Sequence, residues 1–369
     1  MAEAIPAVTP APTPVIDPLE ARLLTSTALR VGLVVPVSGV LGLVGPCAIN
    51  CAVLAADEVN LAGGILGRRV ELVLIDGGRP AERVAAETGA LVACGAVDAV
   101  AGTCGSDVRI AVVRALAGRV PFVYAPPYEG GGRAPGVYFL GETPEQQLGP
   151  GIEWLAGDRR ARRWFLLGND YVWPRLVHRA AGRLLAAHGA AVVGERFVPY
   201  GVRDVAPLLE ELVASRADAV LLSLIGSDLV AFNRAFAAAG LSFPRLCGAL
   251  EEHGLLGIGG DATGELYGAM GYFSSMVTDD SMSLGERYVR RFGPTAPLLN
   301  GHGQGCYEAV LMLAALGSRA GTLAVPAVDA AADGASIVTA RGRLTLRGRS
   351  VWRRAHLGRA DGLDFDVVC

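Results

Sequence analysis

The sequence predicts an α/β protein built as two like halves, each a mostly parallel sheet flanked by helices. Three observations carry that reading. Short apolar runs of strand length alternate with segments of helical periodicity, the pattern that right-handed crossovers and a parallel sheet require. The alternation restarts after a crossover segment at 137–147, so a second half of the same design follows the first. Strands also run into loops rich in glycine, proline and small residues, and in open α/β sheets the loops at the carboxyl ends of strands line the ligand crevice.

Taken in order, residues 30–36 are a continuous apolar strand, followed by a glycine-rich loop at 37–45 and a helix at 47–60 that ends on glycines. A second strand and helix follow at 69–76 and 80–94. A third unit comprises strand 97–102, the small-residue loop 102–107 and helix 108–117. Residues 121–124 form the fourth strand. Phe122, Val123 and Tyr124 favour a pleated strand, whereas Pro126 and Pro127 remove two backbone donors and end it. Its loop carries Tyr124 and Tyr128, which either face a polar, uncharged ligand or simply pack. The second half runs through helix 145–157, strand 163–167, a loop at 168–174, a helix to 188, strand 191–198, helix 206–215, strand 219–223, helix 229–239 and strands 245–250 and 267–272. Helices at 280–292 and 303–315 come next. Antiparallel strands at 339–346 and 350–357 are assigned to the second lobe. The lobes are expected at 30–142 with 276–335 and at 143–275 with 336–369, behind a flexible Pro-rich leader at 1–29.

Composition excludes several function classes. The 369 residues are 51% hydrophobic and 19% charged with a net charge of −3, a balance unlike that of a nucleic-acid binder. All 33 basic residues are arginine, and without lysine neither Schiff-base chemistry nor a phosphate loop ending in Lys-Ser/Thr is available. Seven scattered cysteines without a CxxC pair argue against a disulfide framework or structural zinc, and fit a reducing compartment. Prolines at 6, 10, 12, 14 and 18 interrupt any secretory apolar run and no long apolar span is evident, so a cytoplasmic protein without membrane association is expected. The five histidines show no metal spacing, no dinucleotide fingerprint or G-x-S-x-G elbow is present, and no cofactor is expected.

What does assemble is a set of strand-end loops in both halves: 37–43, 103–107, 124–130, 170–174, 226–228 with Ile225 ahead of it, 251–253 and 272–275. With residues 124–130 (YAPPYEG), 168–175 (GNDYVWPR), 216–220 (RADAV), 271–275 (GYFSS) and the helix around 304–315, the chain from about residue 30 onward resembles the periplasmic-binding-protein type I superfamily. Within it, the chain is similar to the cytoplasmic amide-sensing regulators of aliphatic amidase operons. The resemblance implies two α/β lobes joined by three crossovers that close on a small ligand. It implies that Ser106 hydrogen-bonds the ligand and that Tyr124 and Tyr171 wall it, with Glu129 and Gly130 in the matching loop. Three positions depart from the amide-receptor pattern: Cys104 replaces a tyrosine, Pro126 a threonine and Trp173 a second tyrosine. The expected pocket is thereby altered, with fewer hydroxyls, toward an amide or urea-like ligand that need not be acetamide. Glu251 or Glu252 is a candidate partner for a ligand ammonium.

The reading that follows is a small-amide sensor, not an enzyme, that regulates an amidase or nitrile hydratase operon through an antiterminator or other regulator protein. No direct nucleic-acid contact is expected, and a homo-oligomer is compatible. The alternative is a solute-binding protein of a branched-chain amino acid or urea transporter. A third reading, an amide hydrolase acting through Ser106 or Cys104, requires an activated thiolate or a base beside the serine.

Overall fold

The computed structural model of the protein describes residues 12–368. The chain begins with β1 (Val15–Ile16), α1 (Pro18–Leu23), β2 (Leu29–Val35), α2 (Gly45–Leu61), β3 (Val70–Asp76), α3 (Ala81–Ala93), β4 (Ala99–Gly102), α4 (Ser106–Leu116), β5 (Phe122–Tyr124) and β6 (Val137–Phe139). It crosses into α5 (Pro144–Ile152), which a wider π turn extends, then β7 (Arg163–Asn169), α6 (Val172–Ala187), β8 (Ala191–Val198), α7 (Ala206–Ala214), β9 (Ala219–Ser223), α8 (Gly226–Ala238), β10 (Arg245–Cys247), α9 (Glu252–Ile258) and β11 (Leu266–Met270). The remainder comprises α10 (Asp279–Phe292), α11 (Gly301–Ala320), α12 (Val325–Ala331), β12 (Ser336–Thr339), β13 (Gly342–Arg347), β14 (Ser350–Val351), β15 (His356–Asp361) and β16 (Asp364–Val367).

These strands form two sheets. The first has the order β1-β3-β2-β4-β5-β6-β14-β13-β12 and is parallel through β14; the second has the order β16-β15-β11-β10-β9-β7-β8 and is parallel from β11 to β8. Central strands β2, β4, β5 and β9 are buried along their whole length, which is why they read as unbroken apolar runs and not as alternation. Each sheet buries both faces. In the first lobe α2, α10 and α11 cover one face and α1, α3 and α4 the other; in the second, α5 and α6 oppose α7, α8 and α9. Although α2 and the turn before it are long and apolar enough to cross a membrane, α2 lies mostly buried against α11 in the first lobe.

Three crossovers join the lobes, after β6, after β11 and between β14 and β15. The last corrects the sequence assignment of 336–369. β12, β13 and β14 extend the first sheet, with Ser350 paired to Phe139, and only β15 and β16 belong to the second. Leu344, Leu346 and Val351 pack into the core beside α11, a non-local choice that a hairpin's own alternation does not encode. The expected strand at 350–357 is accordingly split, with the chain changing lobes at 352–355. The leader also differs from expectation. Residues 1–11 lie outside the described residues, but Val15 and Ile16 pair with Leu72 and Val73, and Asp17 caps α1. Arg30 donates to the carbonyls of Ala21 and Leu24, which ties this segment to the first lobe.

A buried ionic cluster sits among the crossovers. Arg341, in the turn from β12 to β13, pairs with Glu142 of the first crossover at 2.9 Å and with Glu308 of α11. Gly271, in the second crossover, lies so close that any side chain there would overlap Glu142 and Arg341.

Candidate functional site

The strand ends of the two sheets face one another, and between them lies a cavity of about 440 Å³, part of it open to solvent. From the first lobe come Leu41 and Val44 after β2, Thr103, Cys104, Gly105 and Ser106 between β4 and α4, and Tyr124, Pro126 and Pro127 at the end of β5. The second lobe supplies Tyr171 and Trp173 at the start of α6, Ile225 before α8, and Gly248 and Ala249 after β10. His302 enters from the first turn of α11, whose cap is the fully buried Asn300 accepting from the Gly303 amide at 2.8 Å.

Seven of the eight residues singled out from the sequence therefore meet here: Cys104, Ser106, Tyr124, Pro126, Tyr171, Trp173 and Ile225. Glu251 does not. Its carboxylate accepts from the amides of His253 and Gly254 and caps α9, a short helix at a position expected to be a loop. Burial pushes the Glu251 carboxyl up to about 7, so it is a poor permanent counter-charge for an ammonium. Glu252 is likewise buried and accepts from the Ser274 amide. Glu129 pairs with Arg109 at 2.6 Å behind the cavity wall, and Tyr128 stacks on Phe139 at 4.2 Å. His302 was not foreseen. Asn300 before an apolar helix is a capping signal that places it near a helix start, but nothing local points that start at the cleft.

The lining is uncharged: among the described residues it contains no Asp, Glu or Arg. Its polar side chains are Thr103, Ser106, Tyr124 and Tyr171 with their hydroxyls, the Cys104 thiol, the His302 ring and the Trp173 indole. Trp173 Nε1 is buried and has no hydrogen-bond partner among the described residues, so an indole donor is left over where an aromatic hydroxyl was expected to be lost. Tyr124 donates its hydroxyl to the Cys104 carbonyl at 2.7 Å, which makes the ring a wall and fixes the loop before α4. Tyr171 continues the aromatic surface, with ring centroids 6.3 Å from Trp173 and 5.3 Å from Tyr200.

Neither candidate nucleophile is activated. Burial pushes the Cys104 thiol well above its ordinary range, with nearby Asp107 adding to the effect. His302 is held down to about 4 by burial and by His253, hence neutral, and its recorded partner is Thr103 Oγ1 at 3.5 Å rather than Ser106. Among the described residues no His, Cys, Asp and Glu cluster is arranged to hold a metal.

The lobes are closed over the cavity. Ser227 donates its amide to the Val40 carbonyl across the cleft at 2.9 Å, and Gly226 adopts φ +48° with its Cα directly against Val40. Val40 and Leu41 pack on the core of the second lobe, and the Tyr200 hydroxyl reaches Gly105 of the first.

Known structures share this architecture. A solute-binding protein of an ABC transporter from R. palustris, solved with benzoate, superposes with a TM-score of 0.78 at 18% identity, covering 92% of this chain and 95% of that one. A leucine-binding protein from Thermotoga maritima gives 0.78 at 15% identity, covering 93% and 98%. A fatty acid ABC transporter substrate-binding protein from Thermomonospora curvata gives 0.80 at 18%, covering 94% and 92%. At these identities the likeness concerns the fold. A protein-family model described as "Periplasmic binding protein" matches residues 28–361, and with two lobes, three crossovers and a cleft between strand ends, the chain belongs to the periplasmic binding protein family of type I architecture.

Proposed function

We propose that the protein is a receptor that closes its two lobes on a small uncharged ligand carrying an amide-like group. The observation that carries this reading is the interlobe cavity, whose wall is aromatic and apolar, contains no charged side chain among the described residues and includes Trp173, whose buried indole N–H has no partner among them. Burying a carboxylate or ammonium there without a counter-charge costs several kcal/mol, whereas an amide needs only hydrogen-bond partners. Residues from both lobes touch the same space, so a ligand that fills it favours the closed state and any partner that reads closure.

A carboxylate ligand is the second reading. The first turn of α4 opens on the cavity at Ser106, and a helix N-terminus suits an anion. Asp107 in that same turn opposes an anion and favours the neutral ligand. Two biological roles fit the site: an amide-responsive regulator, supported by the strand-end motifs, and delivery of a solute to a transporter, supported by the structural neighbours from transport systems.

Calorimetric titration of the purified protein with butyramide, benzamide, benzoate and leucine tests the ligand class. The amides are expected to bind, with Trp173→Phe weakening them by about five- to tenfold for one lost hydrogen bond. Tighter binding of benzoate or leucine than of either amide overturns the reading.

A further inference from the structure

A second chamber of about 860 Å³, part of it open to solvent, adjoins the ligand cavity and shares Leu41, Gly105 and Ile225 with it. The two spaces lie on either side of those three residues, which form the wall that a longer ligand would have to pass. The outer part is walled by the loop after β3, by Ala81 at the start of α3, by Asp107 on α4 and by Tyr200 after β8. Its electrostatic character differs from that of the inner cavity. Arg79 reaches it but is paired with Glu87, and Arg109, on the same helix as Asp107, is paired with Glu129. Asp107 forms no ion pair among the described residues, and its carboxylate and the Tyr200 hydroxyl of the other lobe both lie beside Gly105. A carboxylate without a basic partner, at the edge of a roomy chamber, attracts a positive or donor-rich group.

We propose that this chamber is a second subsite that takes the distal end of an elongated ligand whose uncharged head occupies the inner cavity, and that Asp107 selects an ammonium or similar donor at that end. The proposal rests on the neutral-head reading above. It also couples ligand length to closure, because Asp107 and Tyr200 lie on opposite lobes and a distal donor between them contacts both. A distal carboxylate meets the same Asp107 as a like charge and is rejected.

The test is a titration series of butyramide, hexanamide, ω-aminohexanamide and adipamic acid, the last carrying a distal carboxylate. Hexanamide is expected to bind more tightly than butyramide. The ω-amino compound gains about a further tenfold, equivalent to ~1.4 kcal/mol for a charge-assisted hydrogen bond. Asp107→Asn should erase the ω-amino preference, and Ala81→Phe, which narrows the outer chamber, should weaken both hexanamides more than butyramide. Butyramide binding with no gain for the longer ligands, or an ω-amino preference that survives Asp107→Asn, overturns the outer subsite alone. Failure of all four ligands to bind overturns the inner-cavity reading and this proposal with it.

Discussion

Replacing Arg341 by methionine should cost the protein more stability than any single change in the ligand cavity. The guanidinium is 7% exposed, while Glu142 and Glu308 are 2% and 0% exposed. Its Nη1 donates to Glu142 at 2.9 Å and its Nε to both oxygens of Glu308 at 3.0 and 3.1 Å. Burial opposes the charge on Arg341, yet the carboxylates of Glu308 and Glu142 more than offset it and hold its pKa above the ordinary arginine value. Arg341→Met removes the only cation hydrogen-bonded, among the described residues, to the two interior carboxylates and leaves Arg353 as the nearby positive charge, a change that typically costs about 3–5 kcal/mol. For lobes of this size that corresponds to a fall of about 10 °C in the thermal midpoint. Two controls separate charge from packing. Adding Glu142→Gln and Glu308→Gln should recover most of the loss, since Thr339 and Gln304 still hydrogen-bond position 308. The second control, Arg341→Lys, which keeps a cation but not the planar fork, should lose less than Arg341→Met. Differential scanning calorimetry reads all of this. A single variant melting within about 2 °C of the parent protein refutes the claim that this cluster holds the crossovers together.

Gly226→Ala should separate folding from closure. The left-handed conformation at φ +48° costs a non-glycine residue about 1 kcal/mol whether the lobes are open or closed. The overlap of the new methyl with the Val40 carbonyl exists only when they are closed. Ligand affinity should therefore drop about tenfold with a small change in melting temperature, and small-angle scattering should show a more open protein; unchanged affinity sinks the assignment of this contact to the closed state. Glu252 makes stability depend on pH. Burial and the charge of Glu251 raise its carboxyl to about 8, above the unfolded value, so the stability it contributes is complete below the unfolded pKa and is lost as pH rises through about 8. The thermal midpoint should rise as pH is lowered from about 9 to about 6, and Glu252→Gln should flatten that slope; a midpoint whose pH dependence the substitution leaves intact refutes it.

Much of this molecule was legible in the chain because its information is local. Fully buried parallel strands must be apolar along their length, and helices between them must carry a 3.6-residue period, so the alternation of elements and the restart at the second half can be read directly. Proline and glycine at strand ends marked where the loops lie, and the loops carrying Ser106, Tyr124, Tyr171, Trp173 and Ile225 do converge on one cavity. Charge composition and the absence of lysine needed no structure at all. What only tertiary structure decided depended on groups far apart in sequence. The hairpin from β12 to β13 alternates in the same way whichever sheet it joins, and packing beside α11 placed it in the first lobe. Glu251 looked available for a ligand until α9 formed and its amides claimed the carboxylate. His302 reaches the cavity because Asn300 caps α11 beside it, and the hydrogen-bonding need of the Trp173 indole is visible only once every neighbour is in place. Periodicity and turn chemistry specify elements and their ends, whereas hydrogen-bond satisfaction and burial of charge are properties of the assembled interior.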